Sequence, residues 1–281
     1  MAREADDRLI LHGRHPVLEA LRGGARRVDE VLIEREAEGR GADLVALARQ
    51  AGVRCSRVPR GTLTALAGTP HHQGVVARVA ARAYAGLEEV LVVPRAKGEA
   101  ALFLLLDQVQ DPGNLGNLLR TAEALGVHGV MVLRHQAVGL TGHSVRAAAG
   151  ALEYLPVARV GNLVQAIEVL QKEGCWVVGA SATPAELPPP WRLDLRGPLA
   201  LVLGSEGRGL RPLVARRCDA LTRIPLAGRI GSLNVAAAGA ALLYEVVRQR
   251  AGTAVRGAEA AARSAGGAPG EKSVDSRGLG T

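Results

Sequence analysis

Aromatic side chains are nearly missing from this 281-residue chain: they make up 2% of it, and Phe103 is the one Phe. Modules that read single-stranded RNA by stacking bases on exposed rings depend on such residues. Their scarcity argues against that mode and leaves arginine, backbone amides and shape as the means of holding RNA. Cysteine is also scarce. Cys55, Cys175 and Cys218 are odd in number, widely spaced and without a C-x-x-C pair, which argues against a disulfide framework or a zinc site. The adjacent His71 and His72 make a poor chelate, because successive side chains point apart. No metal is therefore expected. No apolar run approaches the ~20 residues that cross a bilayer. The polar, acidic start Met1-Ala2-Arg3-Glu4-Ala5-Asp6-Asp7 lacks the apolar region of a secretory signal. A cytoplasmic chain with no membrane partner is the expectation.

What is present is a globular composition, 48% hydrophobic and 22% charged, with 35 Lys and Arg against 27 Asp and Glu. A net charge of +8 favours polyanionic partners, although an Ala-, Gly- and Arg-rich composition can raise the same number. Residues 8–80 alternate helical and strand patterns: a helix over 15–21, a strand over 30–33, a helix over 42–51 and strands over 53–58 and 73–79. This is read as a small α/β domain. Residues 81–98, punctuated by Pro94 and Gly98, read as a linker. Over 99–250, apolar strands at 102–106, 130–133, 176–178 and 199–203 alternate with helices at 115–125, 162–173 and 233–248. Such alternation predicts a parallel sheet covered on both faces. Residues 251–281, rich in Gly, Ala and Ser, read as a disordered tail.

Three loops leave strands of the second domain at the ends where ligands of parallel sheets gather. The first, 107–120, places Asn114 as a candidate helix cap. On that helix Leu115, Leu118, Leu119, Ala122 and Leu125 form the apolar face, and Asn117 and Arg120 lie off it. The second is Gly204-Ser205-Glu206-Gly207-Arg208-Gly209, whose glycines let backbone approach a ligand. It matches neither a dinucleotide fingerprint nor a P-loop, which argues against a Rossmann oxidoreductase. The third runs from Ile224-Pro225-Leu226 to Ser232-Leu233-Asn234-Val235, with Ser232 a candidate cap for a helix of small residues.

In this order and spacing, Asn114-x-Gly116-x-x-x-Arg120, Gly204-Ser205-Glu206-Gly207 and Ile224 through Val235 resemble the three motifs of the SpoU/TrmH family of SPOUT methyltransferases. His12-Gly13-Arg14-His15-Pro16 and His72-Gln73-Gly74 resemble the substrate-binding domain of its RlmB branch, which methylates a guanosine ribose in bacterial large-subunit rRNA. The resemblance implies an α/β chain with a trefoil knot in the C-terminal sheet, a homodimer, and S-adenosyl-L-methionine as cofactor. It implies Leu203, Gly204, Gly207, Ile224, Leu226, Ser232, Leu233 and Asn234 at the cofactor, and Arg14, His15 and Gln73 at the RNA. Arg120 is implied as the residue that manages the proton of the ribose 2'-hydroxyl, ordered by Asn114, Glu206, Ser232 and Asn234. A guanidinium titrating above ~12 is a poor base, so stabilising the developing alkoxide is the less strained role. Two positions depart from the common pattern: Ala236 replaces a frequent Ser, and Asn117 a small apolar residue. Rival readings are a tRNA or other rRNA ribose methyltransferase, including an antibiotic-resistance type, and a non-catalytic RNA-binding assembly factor.

Overall fold

The computed structural model describes residues 8–24, 26–35, 41–80 and 83–265, with 253–265 as backbone only. The acidic start Met1–Asp7 lies outside the described residues, as do 266–281 of the expected tail. Chain order is β1 (Arg8–His12), α1 (Arg14–Gly23), β2 (Val28–Glu34), α2 (Ala42–Gln50), β3 (Arg54–Val58), α3 (Arg60–Ala67) and β4 (Val75–Ala80). These form a four-stranded sheet in the order β1-β4-β2-β3, in which only β2 and β3 run parallel.

There follow α4 (Leu87–Lys97), β5 (Leu102–Asp107), α5 (Pro112–Ala124), β6 (Gly129–Leu133), α6 (Gly142–Ala147) and β7 (Val157–Val160). The chain continues through α7 (Leu163–Lys172), β8 (Trp176–Ala180), β9 (Leu199–Gly204), α8 (Pro212–Arg217), β10 (Ala220–Thr222) and α9 (Val235–Ala265). Six strands pair throughout in parallel, in the order β10-β8-β9-β5-β6-β7. The α/β class and the parallel sheet expected from the sequence are what the chain adopts.

All six residues of β5 are buried, because the strand is central and covered on both faces. Alternation sorts its side chains. Leu102, Leu104 and Leu106 join Leu201 and Leu203 under Leu115, Leu118 and Leu119 of α5 and Leu242, Leu243 and Val246 of α9. Phe103 and Leu105 face the other way, with Val202, toward Val90 of α4, Ile167 of α7 and Val214 of α8. Each Leu so buried contributes roughly 1.5–3 kcal/mol. Leu11 and Val31 of the first sheet and Val17 of α1 extend the α5 side of this core.

Two expectations are corrected. The linker read over 81–98 contains α4, which carries Glu88 and Glu89 in its first turn and Arg95 and Lys97 in its last. These charges match the helix dipole, and Pro94 is held as part of the buried face rather than breaking the helix. The last helix was expected to stop near Arg248, yet α9 continues to Ala265. Alanine, the strongest helix former, dominates that extension and outweighs its glycines. Among the described residues no helix is long and apolar enough to cross a membrane.

Candidate active site

The end of β5 fixes the first part of the site. Asp107 is wholly buried. Its Oδ2 accepts from the Arg211 backbone N–H at 2.9 Å and its Oδ1 from Arg211 Nε at 2.8 Å. Both carboxylate oxygens are satisfied, which is what makes a buried charge tolerable. The effect is to tie the start of α8 to the end of β5. Between them the loop after β9 closes on itself, with Ser205 and Gly209 exchanging backbone hydrogen bonds of 3.1 and 2.9 Å. A Cβ on Gly204 would stand 2.1 Å from the Gly209 carbonyl carbon. Glycine at 204 is thus a packing requirement of this loop.

Helix α5 begins at Pro112, three residues before the start expected from the sequence, and Pro fits the first helical turn. Asp111 is its cap, accepting from the Asn114 N–H at 2.7 Å. The capping role expected of Asn114 is therefore corrected. Its side chain is released for a tertiary contact: Asn114 Nδ2 donates to Glu206 Oε1 at 2.7 Å, and Asn114 Oδ1 accepts from Asn234 Nδ2 at 2.8 Å. Asn234 Nδ2 also donates to Glu206 Oε1 at 2.8 Å. Asn234 Oδ1 meanwhile accepts from the N–H groups of Ala236 and Ala237 at 2.9 and 3.3 Å. Asn234, not Ser232, caps α9, because the helix starts at Val235 and Ser232 lies too far upstream.

Side chains from three separated blocks thus meet at one carboxylate oxygen. Further along α5, a Cβ on Gly116 would stand 2.3 Å from Ala147 Cβ and 2.6 Å from the Ser144 carbonyl oxygen. Glycine there lets α6 lie directly on α5. Gly239 plays the same part for α9, where a Cβ would meet Leu118 at 2.5 Å and Leu203 at 2.9 Å.

Beside this cluster lies a cleft of about 300 Å³ over the carboxyl ends of β8, β9 and β10. Leu203, Gly204, Gly207, Ile224, Leu226, Ser232 and Leu233 line it; Asn234 does not, although Glu206, to which it donates, does. Ala180, Ser181, Ala182, Thr222 and Arg223 also line it and were not anticipated. The rule placing ligands past the carboxyl ends of parallel strands could have flagged 180–182, which follow β8 directly. Arg120 lies six residues beyond Asn114, about 9 Å along the helix axis at 1.5 Å per residue. It is exposed, and makes no hydrogen bond or ion pair among the described residues.

Arg14, His15 and Gln73 gather elsewhere, at the start of α1. Gly13 has no side chain to cap that helix, and Gln73 Oε1 accepts the Arg14 N–H instead, at 3.0 Å. The Arg14 guanidinium pairs with Asp43, and His15 is exposed. His72 anchors the turn from inside: its Nδ1 accepts the Gly74 N–H at 3.1 Å and its Nε2 meets Thr64 Oγ1 at 3.1 Å. Burial holds the His72 ring below its ordinary titration range, with Arg60 adding to the shift. Among the described residues no group of three or more His, Cys, Asp and Glu side chains comes together to hold a metal ion.

Residues 101–244 match the model of the SpoU rRNA Methylase family, and residues 10–85 match that of the RNA 2'-O ribose methyltransferase substrate-binding domain. The chain belongs to the SpoU rRNA methylase family. It is 41% identical over 244 residues to the 23S rRNA (guanosine-2'-O-)-methyltransferase RlmB of Ralstonia nicotianae, covering 86% of this chain and 96% of that one. It is equally 41% identical, over 239 residues, to a Bacillus subtilis protein named for the TrmH family of tRNA/rRNA methyltransferases, covering 85% of this chain and 94% of that one. The crystal structure of the SpoU methyltransferase AviRb from Streptomyces viridochromogenes, in complex with AdoMet, superposes with a TM-score of 0.72 at 29% identity. That match covers 88% of this chain and 92% of AviRb.

This SpoU-family chain is an RNA methyltransferase that uses S-adenosylmethionine. The cleft fits that cofactor. Its walls are largely apolar, its size lies at the lower end of the range for small-molecule sites, and the loop at Gly204 brings backbone rather than side chain to its edge.

Proposed function

We propose that the chain methylates the ribose 2'-oxygen of a guanosine in bacterial 23S rRNA. The observation that carries this is the junction of Asn114, Glu206 and Asn234 at the mouth of the cofactor cleft, with Arg120 exposed on the same helix as Asn114. The name of the Ralstonia relative supports guanosine and 23S rRNA, and the match of residues 10–85 supports a ribose 2'-oxygen of RNA.

S-adenosylmethionine supplies an electrophilic methyl group on a sulfonium centre. Leu203, Gly204, Gly207, Ile224, Leu226, Ser232 and Leu233 would hold it. Asn234 orders the start of α9 beside it through its cap. The ribose hydroxyl must lose its proton as it attacks. A guanidinium offers donors and no acceptor, so Arg120 holds the developing oxygen charge and the neighbouring phosphate, while the proton passes to solvent. The Asn114–Glu206–Asn234 bridge ties the start of α5, the loop after β9 and the start of α9 together, which would help to hold cofactor and ribose in the orientation the transfer needs.

Arg14, His15 and the free amide of Gln73 form the RNA contact of the first domain in this reading. The proposal includes a cytoplasmic homodimer and the trefoil knot that the family resemblance implies. Exposed Ile230 and Leu233 near the cleft and Tyr244 on α9 supply apolar surface for a second copy. The Bacillus relative, named for both tRNA and rRNA, keeps a tRNA ribose as the second reading. A ribose-methylation map of large-subunit rRNA, with and without the gene, decides: one guanosine methyl should disappear with the gene. An unchanged map with a lost tRNA methyl would favour the second reading.

A further inference from the structure

The loops that follow β5 and β6 meet through two glutamines. Gln108 stands directly after Asp107, and its Nε2 donates to Oε1 of Gln136 at 2.7 Å. Both residues have left-handed backbone, with φ of +62° and +61°. Residues other than Gly, Asn and Asp seldom adopt it, and such strain persists only where neighbours impose it. Here they do. The Val138 N–H donates to the Val109 carbonyl at 3.0 Å, and the Leu140 N–H donates to the Tyr84 hydroxyl at 2.7 Å. The Tyr84 ring is itself covered by the Arg159 guanidinium, 4.8 Å from its centroid. The pair is therefore held in place, half-buried at Gln108 and exposed at Gln136.

Two amides that share one hydrogen bond keep one carbonyl and one NH2 for a third party. Among the described residues nothing takes up Oε1 of Gln108 or Nε2 of Gln136. Strand order places this third party. The cofactor cleft covers β10, β8 and β9, the Asn114–Glu206–Asn234 bridge spans the β9 and β5 loops, and the glutamines span the next step, β5 to β6. A nucleotide whose ribose sits at the bridge has the cofactor on one side. Its base has the glutamine side open.

We propose that Gln108 and Gln136 form the site that reads the target base, with Gln136 donating to O6 and Gln108 accepting from N1–H of a guanine. The proposal rests on the guanosine reading given above. A donor and an acceptor carried by two hydrogen-bonded side chains favour a base edge that presents an acceptor and a donor, and reject one that lacks them.

The test is methyl transfer to two RNA fragments. One carries the mapped target guanosine; the other carries 2-aminopurine there, which keeps the ribose and the 2-amino group but lacks O6 and N1–H. The wild-type enzyme should lose at least tenfold in kcat/KM on the 2-aminopurine RNA. Gln136→Ala and Gln136→Glu should lose a comparable factor on the guanosine RNA and little further on the analogue, with S-adenosylmethionine affinity by calorimetry unchanged. Gln108→Ala, on the other loop, should repeat the pattern. Wild-type kcat/KM in these variants, or an undiminished tenfold preference for guanosine over the analogue, would overturn the base-reading pair alone. A methyl mapped to a nucleotide other than guanosine would overturn the proposed function and the guanine assignment together.

Discussion

Asn234 and Asn114 are 120 residues apart in sequence and 2.8 Å apart at their side-chain amides. Both also donate to the same oxygen of Glu206. A single carboxylate thus joins the start of α5, the loop after β9 and the cap of α9. Removing its charge should loosen all three.

Glu206→Gln is expected to lower the rate of methyl transfer by roughly 10²-fold, the cost of misplacing groups around a reacting centre by about an ångström. Single-turnover transfer from S-adenosylmethionine reads the chemical step. A rate within twofold of wild type would remove Glu206 from the arrangement.

Gly204→Ala should fold but bind the cofactor poorly. The added methyl must push Gly209 away from a separation of 2.1 Å, a strain of the ~1–3 kcal/mol seen for overpacked sites. Calorimetry should show S-adenosylmethionine affinity reduced about tenfold or more, since 1.4 kcal/mol is a factor of ten. Gly116→Ala is the control, because it separates α5 from α6 and should lower the melting temperature while affecting the cofactor less.

The sequence made some of this legible and hid the rest for physical reasons. Continuous apolar runs such as 102–106 are strands because both faces of the sheet are covered, and that pattern can be read directly. The glycines of the second block could be recognised, but the clash at 204 depends on Gly209 folding back, which no spacing reveals. Asn114 and Asp111 are both good caps by type, and the choice turned on Pro112 opening the helix early. Helix α4 was hidden by Pro94, and the buried pair of Asp107 with Arg211 spans 104 residues without any local signature. The three blocks identified the chemistry; only the fold shows that Asn114, Glu206 and Asn234 share one contact.

Acid should destabilise the fold below about pH 6.5. His72 and His128 are buried, and each uses Nδ1 as an acceptor, from the N–H groups of Gly74 and Leu102. Burial lowers the titration of both rings below the ordinary 6.5, and Glu99 opposes this only in part at His128. The unfolded chain therefore binds more protons in the window below 6.5, and stability falls there as pH falls. Urea unfolding between pH 8 and 5 should show a plateau above about 6.5 and a decline beneath it. A flat profile would contradict the neutral, buried rings.

Glu153 in the turn 151–153 meets Arg26, just before β2, with Oε1 2.5 Å from Nη2 and both side chains buried. The contact is an ion pair of poor hydrogen-bond alignment, and Nε and Nη1 of Arg26 lack partners among the described residues. Removing one partner strands a buried charge, so Glu153→Ala should cost about 3–5 kcal/mol in urea unfolding. The double variant Arg26→Met, Glu153→Leu should recover most of it. Equal losses in the single and double variants would show that the pair's charges are not what matters.

The measurement closest to the central claim is transfer of a labelled methyl group from S-adenosylmethionine to the 2'-oxygen of large-subunit rRNA, by wild type and by Arg120→Ala. Arg120 is exposed and supports no other side chain among the described residues, so its removal should leave the fold intact. The predicted result is a loss of roughly 10²–10³-fold or more in turnover, the range for removing one donor to a developing oxyanion, with cofactor affinity unchanged. Turnover near that of wild type would contradict it.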